Sequence, residues 1–398
     1  MLDIERNKKD FTHMYEYYKE RINTVDYPEY ELNKITYQER KKYKDLTDIE
    51  ILKTIRTQLL NQKYNHSLRV EKITEQLNNV MNNNQEFESA SNVAGLLHDY
   101  GRFMQSVLFN NYKDAEDFFK EHGLSGHGEV GARILFINDE IKYFSTDKKY
   151  YEILSKVIEK HSLPTLGEYN KQIDKNFKKN NMFDDIDLTI SCMLQMVKDA
   201  DTCDILYQRI TGEYPILSST FKYHTNGESL KEISIKTGIN VDTILTWNNI
   251  QKEIPKIVKL PLQEVNPNIL EVPKEIQEKF FKKTFITNPK EWDLRKMQND
   301  QSYNYNSITA MWWSIGQFLG NMNFTATLEV IKNNNILEQI YDKYPEKYKY
   351  LVKEMFEFAE EELLKKRIQD KKIYAKKYKI KTCFTNTWPK TKSILYLY

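Results

Sequence analysis

Histidine is scarce in this 398-residue chain, seven residues in all, yet five of the seven fall between positions 66 and 161. The stretch "NVAGLLHDYGRF", residues 92–103, sets His98 and Asp99 side by side at the end of an apolar helical run. Both side chains cost free energy to bury unless something binds them. His66 stands four residues before Val70, on a stripe continued by Ile73 and Leu77. His98 is four after Ala94, and His127 is three before Val130 and seven before Ile134. His161 is four after Val157 and seven after Leu154; Asp201 is four after Val197 and seven after Leu194. Residues three or four apart share a helix face, so five helices send imidazole or carboxylate groups toward one interior. Taken singly, each has a plainer reading: a core histidine bonded to a carbonyl, a helix-end aspartate, an Asp201–Lys198 pair. Taken together, one bound cation satisfies them more economically than a separate partner for each. Imidazole and carboxylate without thiolate suit a divalent Mn, Fe, Co or Ni ion, with Zn and Mg also admitted.

The elements that must position these groups follow from hydrophobic periodicity. Residues 1–48 are charged and Tyr-rich, with helical patches and little core signal. A helix begins at Asp48 and carries Ile51, Ile55, Leu59, Val70, Ile73, Leu77 and Val80. An Asn/Gln-rich loop over 78–86 ends it. A second helix runs through Ala90, Val93, Ala94 and Leu97, with Gly101 at the place of a C-cap. Residues 110–126 read as a loop. "HGEVGARILFI" starts a third helix with Ser125 or Gly126 as N-cap; "YYEILSKVIEKHS" is a fourth, stopped by Pro164. "DLTISCMLQMVKDADTCDILYQRI" is a long fifth. Residues 220–262 then read as strand, helix, helix, strand, before helical text resumes at "VPKEIQEKFFKKTFI" and continues through "SITAMWWSIGQFLGNMNFTATLEVIKN" to "YPEKYKYLVKEMFEFAEEELLKKRI".

Composition limits the partners. At 40% hydrophobic residues the chain can bury a substantial core, and a net charge of +2 provides no global field for nucleic acid or membrane. No run approaches the roughly 18 apolar residues of a membrane span. Cys192, Cys203 and Cys383 form no CxxC pair, and "MLDIERNKKDF" has no signal-peptide core, so the expected location is the reducing cytoplasm. The segment from Lys365 to Lys392 is strongly basic and reads as a solvated tail.

Five motifs, "YNHSLRV", "AGLLHDYGRF", "SGHGEVGARIL", "VIEKHS" and "KDADTCDIL", occur in an order that resembles the HD-domain superfamily of metal-dependent phosphohydrolases. They are similar to a bacterial HD-domain subgroup, as is the later "AMWWSIGQFLGNMNFTATLEVIKNNNILEQIYDKY". The resemblance implies a mainly α fold: an HD-domain helical bundle with a small α+β insert. It implies His66, His98, Asp99 and Asp201 as primary metal ligands, with Asp199 as a supporting partner. His127 and His161 match positions that hold a second ion in the two-metal branch, where Asp99 would bridge. One or two ions would activate a water toward a phosphoryl oxygen. His122 is the expected proton donor to the leaving group, and Arg102, Arg69, Lys160 and Lys198 are the expected phosphate-binding cations. The segment after His161 lacks the GYP signature of cyclic-di-GMP phosphodiesterases. "YGRF" after the dyad is not the acidic pair of alarmone hydrolases.

Within residues 215–265, "NGESLKEIS", "TGINVDTILTWNN" and "KIVKLP" resemble a LysM module of βααβ order, a family that commonly binds N-acetylglucosamine glycans. Its marks are Gly227, Gly238, Trp247 and Asn248, and a structural or gating insert is the expected role rather than glycan binding. The expected division is an N-terminal helical extension (1–48), the metal-binding part of the HD domain (49–214), the insert (215–265), C-terminal HD helices (266–370) and a basic tail (371–398). The expected activity is hydrolysis of a nucleotide or related small phosphate ester, without nucleic-acid or membrane partners. The alternative is a ligand-sensing or glycan- or protein-binding HD protein that uses the insert, with little turnover.

Overall fold

The computed structural model describes residues 2–144, 146–162, 185–211, 220–248, 250–261, 264–265, 278, 282, 318–343, 349 and 352–365. Pro164, nearly all of the helix read over 272–286, the start of the one read from Ser307 and the basic tail lie outside the described residues. The chain divides into two compact units, Met1–Asp204 with Ile368–Tyr398, and Ile205–Arg367.

The first unit is helical among its described residues. α1 (Ile4–Thr24) begins at Asp3, whose carboxylate accepts from the Arg6 backbone N–H. Two short helices follow, α2 (Glu29–Leu32) and α3 (Tyr37–Lys42). α4 (Asp48–Met81) is a single 34-residue helix. It opens on a reciprocal capping box between Thr47 and Glu50 and closes on Asn82 in the left-handed region at φ 51°. α5 (Gln85–Leu97), α6 (Gly101–Leu108), α7 (Tyr112–Glu121), α8 (His127–Ala132), α9 (Tyr151–Lys160) and α10 (Ile186–Thr211) complete the set. α8 continues as a π-helical turn over Arg133–Ile137.

α4 packs along α5 and α6, α8 packs on α9 and α6, and α5 also meets α9. α1 lies on α4, α5 and α6, which corrects the weak core signal read for residues 1–48. Its Phe11, Met14, Tyr18 and Ile22 are buried at helical spacing. Phe11, Tyr18, Tyr100 and Phe103 form one aromatic group with ring centroids 5.1–6.0 Å apart. Burial of each such side chain is worth about 1.5–3 kcal/mol, enough to hold a helix whose outer face is charged.

Two local readings need correction. Gly101 is not a C-cap. His98 and Tyr100 keep right-handed helical dihedrals, and the chain rolls from α5 into α6 through them. Gly101 instead permits close approach: a Cβ there would lie 2.2 Å from the His127 carbonyl oxygen and 2.7 Å from the Gly131 nitrogen. Residues 110–126 are not simply a loop, since α7 occupies most of them, capped by Asn111 accepting from the Asp114 N–H.

In the second unit, β1 (Thr220–His224), α11 (Leu230–Thr237), α12 (Val241–Asn248) and β2 (Ile257–Pro261) follow one another. β1 and β2 pair antiparallel, with Thr220 opposite Pro261 and His224 opposite Ile257. The order is the one read from the sequence. Ile233, Ile239, Ile244, Val258, Leu260 and Val265 form its core. Ser229 and Glu232 make a capping box, and Gly238 ends α11 at φ 75°. Asn248 ties α12 to β2: its Nδ2 donates to the Lys259 carbonyl at 2.8 Å and its Oδ1 accepts from the Lys259 N–H at 2.6 Å. α13 (Thr325–Asn333) and α14 (Ile336–Lys343) pack together farther along, and residues 352–365 are helical. Among the described residues, no helix is long and apolar enough to cross a membrane.

Candidate metal centre

The first unit gathers His66 from α4, His98 and Asp99 from the turn after α5, His127 from the start of α8, His161 from the end of α9 and Asp201 from α10. His66, His98, Asp99 and His161 are buried; His127 and Asp201 reach the edge of the group with part of their surface exposed. One ligand atom each from His66, His98 and Asp201 lie within 4.8 Å of one another, and so do those of His98, Asp99 and His161. His66 Nε2 is 3.1 Å from Asp201 Oδ1 and 3.5 Å from Asp99 Oδ2. Asp99 faces both ways. Its Oδ2 is 3.7 Å from His98 Nε2, whereas its Oδ1 is 3.1 Å from His127 Nε2 and 3.5 Å from His161 Nε2.

The imidazoles are held by their outer nitrogens. His98 Nδ1 donates to the Gly95 carbonyl and His161 Nδ1 to the Ile158 carbonyl, both at 2.7 Å. His66 Nδ1 lies 2.6 Å from Asp204 Oδ2, and His127 Nδ1 lies 2.8 Å from Glu116 Oε1. A carbonyl only accepts, so in neutral His98 and His161 the proton is on Nδ1 and a lone pair is on Nε2. Those lone pairs face His66 Nε2 and His127 Nε2, each at 3.2 Å. Carboxylates at the outer nitrogens of His66 and His127 favour the same tautomer there, which sets lone pair against lone pair twice. A divalent cation between each pair resolves this. Ligand nitrogens at about 2.0–2.1 Å from one ion, at angles near 90–110°, stand about 2.8–3.4 Å apart. The donor set therefore suits a divalent cation, and the outer hydrogen bonds are those that orient metal-bound histidines.

Electrostatics point the same way. Burial pulls His98 down to about 3, and burial first also lowers His161, so both remain neutral ligands near pH 7. Burial and Lys63 push His66 down, but hydrogen bonds to Asp201 and Asp204 prevail and raise it, so the metal-free chain favours on Nε2 a proton that a cation would displace. Burial would raise Asp99, yet Lys63, His98, His127 and His161 together hold it well below the usual carboxylate range. Asp201 is lowered by His66 and His98 against the same burial penalty.

The expected catalytic residues fare differently. Arg102 lies beside the group, with Nε 3.8 Å from Asp99 Oδ1 and its guanidinium 4.8 Å from the centre of the Tyr112 ring. Arg69 is committed to Asp204, at 2.6 Å and 3.3 Å, and so braces the partner of His66. Lys198 donates to the His161 carbonyl at 2.8 Å, and Lys160 pairs with Glu159 at 2.6 Å. His122 is not brought to the group: it is exposed at the end of α7, bonded to the Phe118 carbonyl and packed on the Phe118 ring. Asp204, which the sequence reading did not name, braces the group through His66 Nδ1. Asp199 is two residues from Asp201, on another side of α10, whereas Asp204 is three on and shares its face.

Sequence reasoning missed Lys63, Glu116 and Tyr112. Lys63 Nζ donates to Asp99 Oδ2 at 2.7 Å and sits 5.5 Å from the centre of the Tyr112 ring. Its spacing, three residues before His66 on one helix face, was a usable signal. No curated protein and no solved structure matches the chain. Residues 64–205 match the family model of the HD domain. That stretch contains all six clustered residues together with Glu116 and Asp204, and the match supports placing it in the HD-domain superfamily.

Proposed function

We propose that the first unit is a metal-dependent phosphohydrolase centre acting on a small phosphate ester of the nucleotide class. The observation that carries this is the double facing of imidazole lone pairs with the Asp99 carboxylate between them. His66, His98, Asp99 and Asp201 would hold one divalent ion, and Asp99, His127 and His161 a second. Such ions, when bound, supply Lewis acidity toward a phosphoryl oxygen and a water acidic enough to attack near neutral pH.

The chain's own residues do the rest. Asp204 and Glu116 hold His66 and His127 in the tautomer that aims Nε2 inward. Arg69 fixes Asp204. Lys63 and Arg102 flank the two oxygens of Asp99 and share the Tyr112 ring, which keeps both cations beside the site by cation–π attraction. An ester that enters there meets two donors suited to phosphate oxygens. The strand–helix–helix–strand segment of the second unit is read as a LysM-like structural module. Of the residues marking the resemblance, Gly227 at φ 82°, Gly238 at φ 75° and Asn248 have fold-level roles. Among the described residues, Cys192 and Cys203 are buried thiols, which suit a reducing cytoplasm.

Metal content of the purified chain by mass spectrometry, paired with a phosphate-release screen over nucleotides, tests the proposal. Stoichiometric metal and turnover, both lost in Asp99→Ala, are expected. Absence of stoichiometric metal after reconstitution refutes it.

A further inference from the structure

Glu116 lies outside the six clustered residues, yet it is joined to both halves of the proposed chemistry. Its Oε1 accepts from His127 Nδ1 at 2.8 Å and from Gln105 Nε2 at 3.2 Å, and forms an ion pair with Arg102 Nη1 2.9 Å away. Arg102 Nη1 is also 2.7 Å from Gln105 Oε1. The Arg102 Nε is buried without a hydrogen-bond partner and lies 3.8 Å from Asp99 Oδ1. Asp99, His127, Glu116 and Arg102 thus close a ring. One carboxylate oxygen in it is shared between the outer proton of a candidate metal ligand and a candidate anion-binding cation.

Resting on the two-ion reading above, we propose that Glu116 is a positioning residue that couples occupancy of the second ion site to anion binding by Arg102. The coupling follows from competition for one oxygen. An anion that draws the guanidinium away leaves Glu116 with more charge to offer His127. The stronger His127–Glu116 hydrogen bond makes Nε2 a better ligand. In the other direction, a His127 whose Nε2 is committed to a cation donates more strongly from Nδ1. It then displaces Arg102 from the shared oxygen, and the freed guanidinium turns to the anion. Linkage makes the two effects equal in size.

The experiment is calorimetric titration of the full chain with Mn²⁺, with and without inorganic phosphate, with bound Mn²⁺ counted by mass spectrometry. In the wild type, phosphate is expected to tighten the second Mn²⁺ by about 5-fold to 50-fold, within the usual range of coupling between sites. Glu116→Gln keeps the shape but removes the charge. It should weaken the second Mn²⁺ by about 10-fold to 100-fold, abolish the phosphate effect and leave the first Mn²⁺ unchanged. Arg102→Gln should retain two ions and lose the phosphate effect, which keeps the idea testable if Glu116→Gln does not fold. A wild type that binds fewer than two Mn²⁺ overturns the two-ion reading and this proposal with it. Two Mn²⁺ in the wild type, with phosphate linkage persisting in either variant, overturns the role of Glu116 alone.

Discussion

Gly101→Ala should empty the second ion site while sparing the first. Gly101 opens α6 where α6 crosses α8, and an added Cβ would lie 2.2 Å from the His127 carbonyl oxygen, where ordinary contact begins at 3.4 Å. The obstacle is backbone, which cannot swing aside, so the two helices must part by about 1 Å in a tightly packed interior. His127, the first residue of α8, moves with it, and its Nε2 now stands 3.1 Å from Asp99 Oδ1. Metal–ligand distances tolerate only about 0.2 Å, so the second ion should bind at least about 10-fold to 100-fold more weakly. The first site draws on α4, α5 and α10 and should retain its ion. Overpacking costs about 1–3 kcal/mol, offset by up to about 1 kcal/mol of helix propensity, which predicts a Tm loss of up to about 12 °C. Gly123→Ala is the control, because no atom lies within 4 Å of its added Cβ. Its φ of +76° still costs about 1–2 kcal/mol in the left-handed region, but both ions should bind. Metal stoichiometry and melting curves of the two variants decide the matter. A Gly101→Ala protein that binds two ions with wild-type affinity would refute the claim that this contact sets the position of His127.

Other outcomes follow from the same geometry. Arg56 is buried with Nε on Asn110 at 2.9 Å, Nη2 on the Leu108 carbonyl at 3.1 Å and an ion pair to Glu31. Arg56→Met should therefore cost about 3–5 kcal/mol in urea unfolding, and a loss below about 1 kcal/mol would show that these contacts do not hold the chain together. Lys63→Met and Arg102→Met should each lower kcat/KM on a simple aryl phosphate by about 10-fold to 100-fold with metal content unchanged; unaltered kinetics would remove them from phosphate binding. The metal-free protein should be most stable near pH 6.5. Below that, unfolded chains protonate His98 while the folded state keeps it neutral down to about 3, so stability falls as pH drops through that window. The raised His66 contributes stability that is full below about 6.5 and is lost as pH climbs through its folded value. Urea midpoints that stay flat from pH 7 to pH 5 would contradict this.

The convergence of His66, His98, His127, His161 and Asp201 was legible because apolar stripes on five helices fix which way a polar residue on the same stripe points, and Asp99 came with His98 as its neighbour. The start of α4 was legible for a similar reason, since Thr47 and Glu50 carry their own local signal. What escaped was set by contacts between elements. Gly101 before "RF" looks like a helix stop, and only α8 lying against it explains the missing Cβ. α7 is short and has only Ala115 and Phe119 buried, too little periodicity to stand out from its Asn-rich approach. The buried stripe of α1 alternates with Lys, Glu and Arg and reads as a solvated helix until α4 and α6 are laid beneath it. Finding Asp204 needed only the helical angle from Asp201, and there the signal was present and overlooked.

The four histidines differ in when they can be aimed during folding. His98 and His161 are oriented by carbonyls three residues back on their own helices, at Gly95 and Ile158. Those two rings are set as soon as α5 and α9 form. His66 waits for Asp204, 138 residues later in the chain, and His127 waits for α7 to dock. Half of the cluster is thus encoded locally and half by the finished architecture. A chain cut short before α10 lacks Asp201 and Asp204, so the set proposed for the first ion stays incomplete, and its capture becomes a late event that reports completed folding.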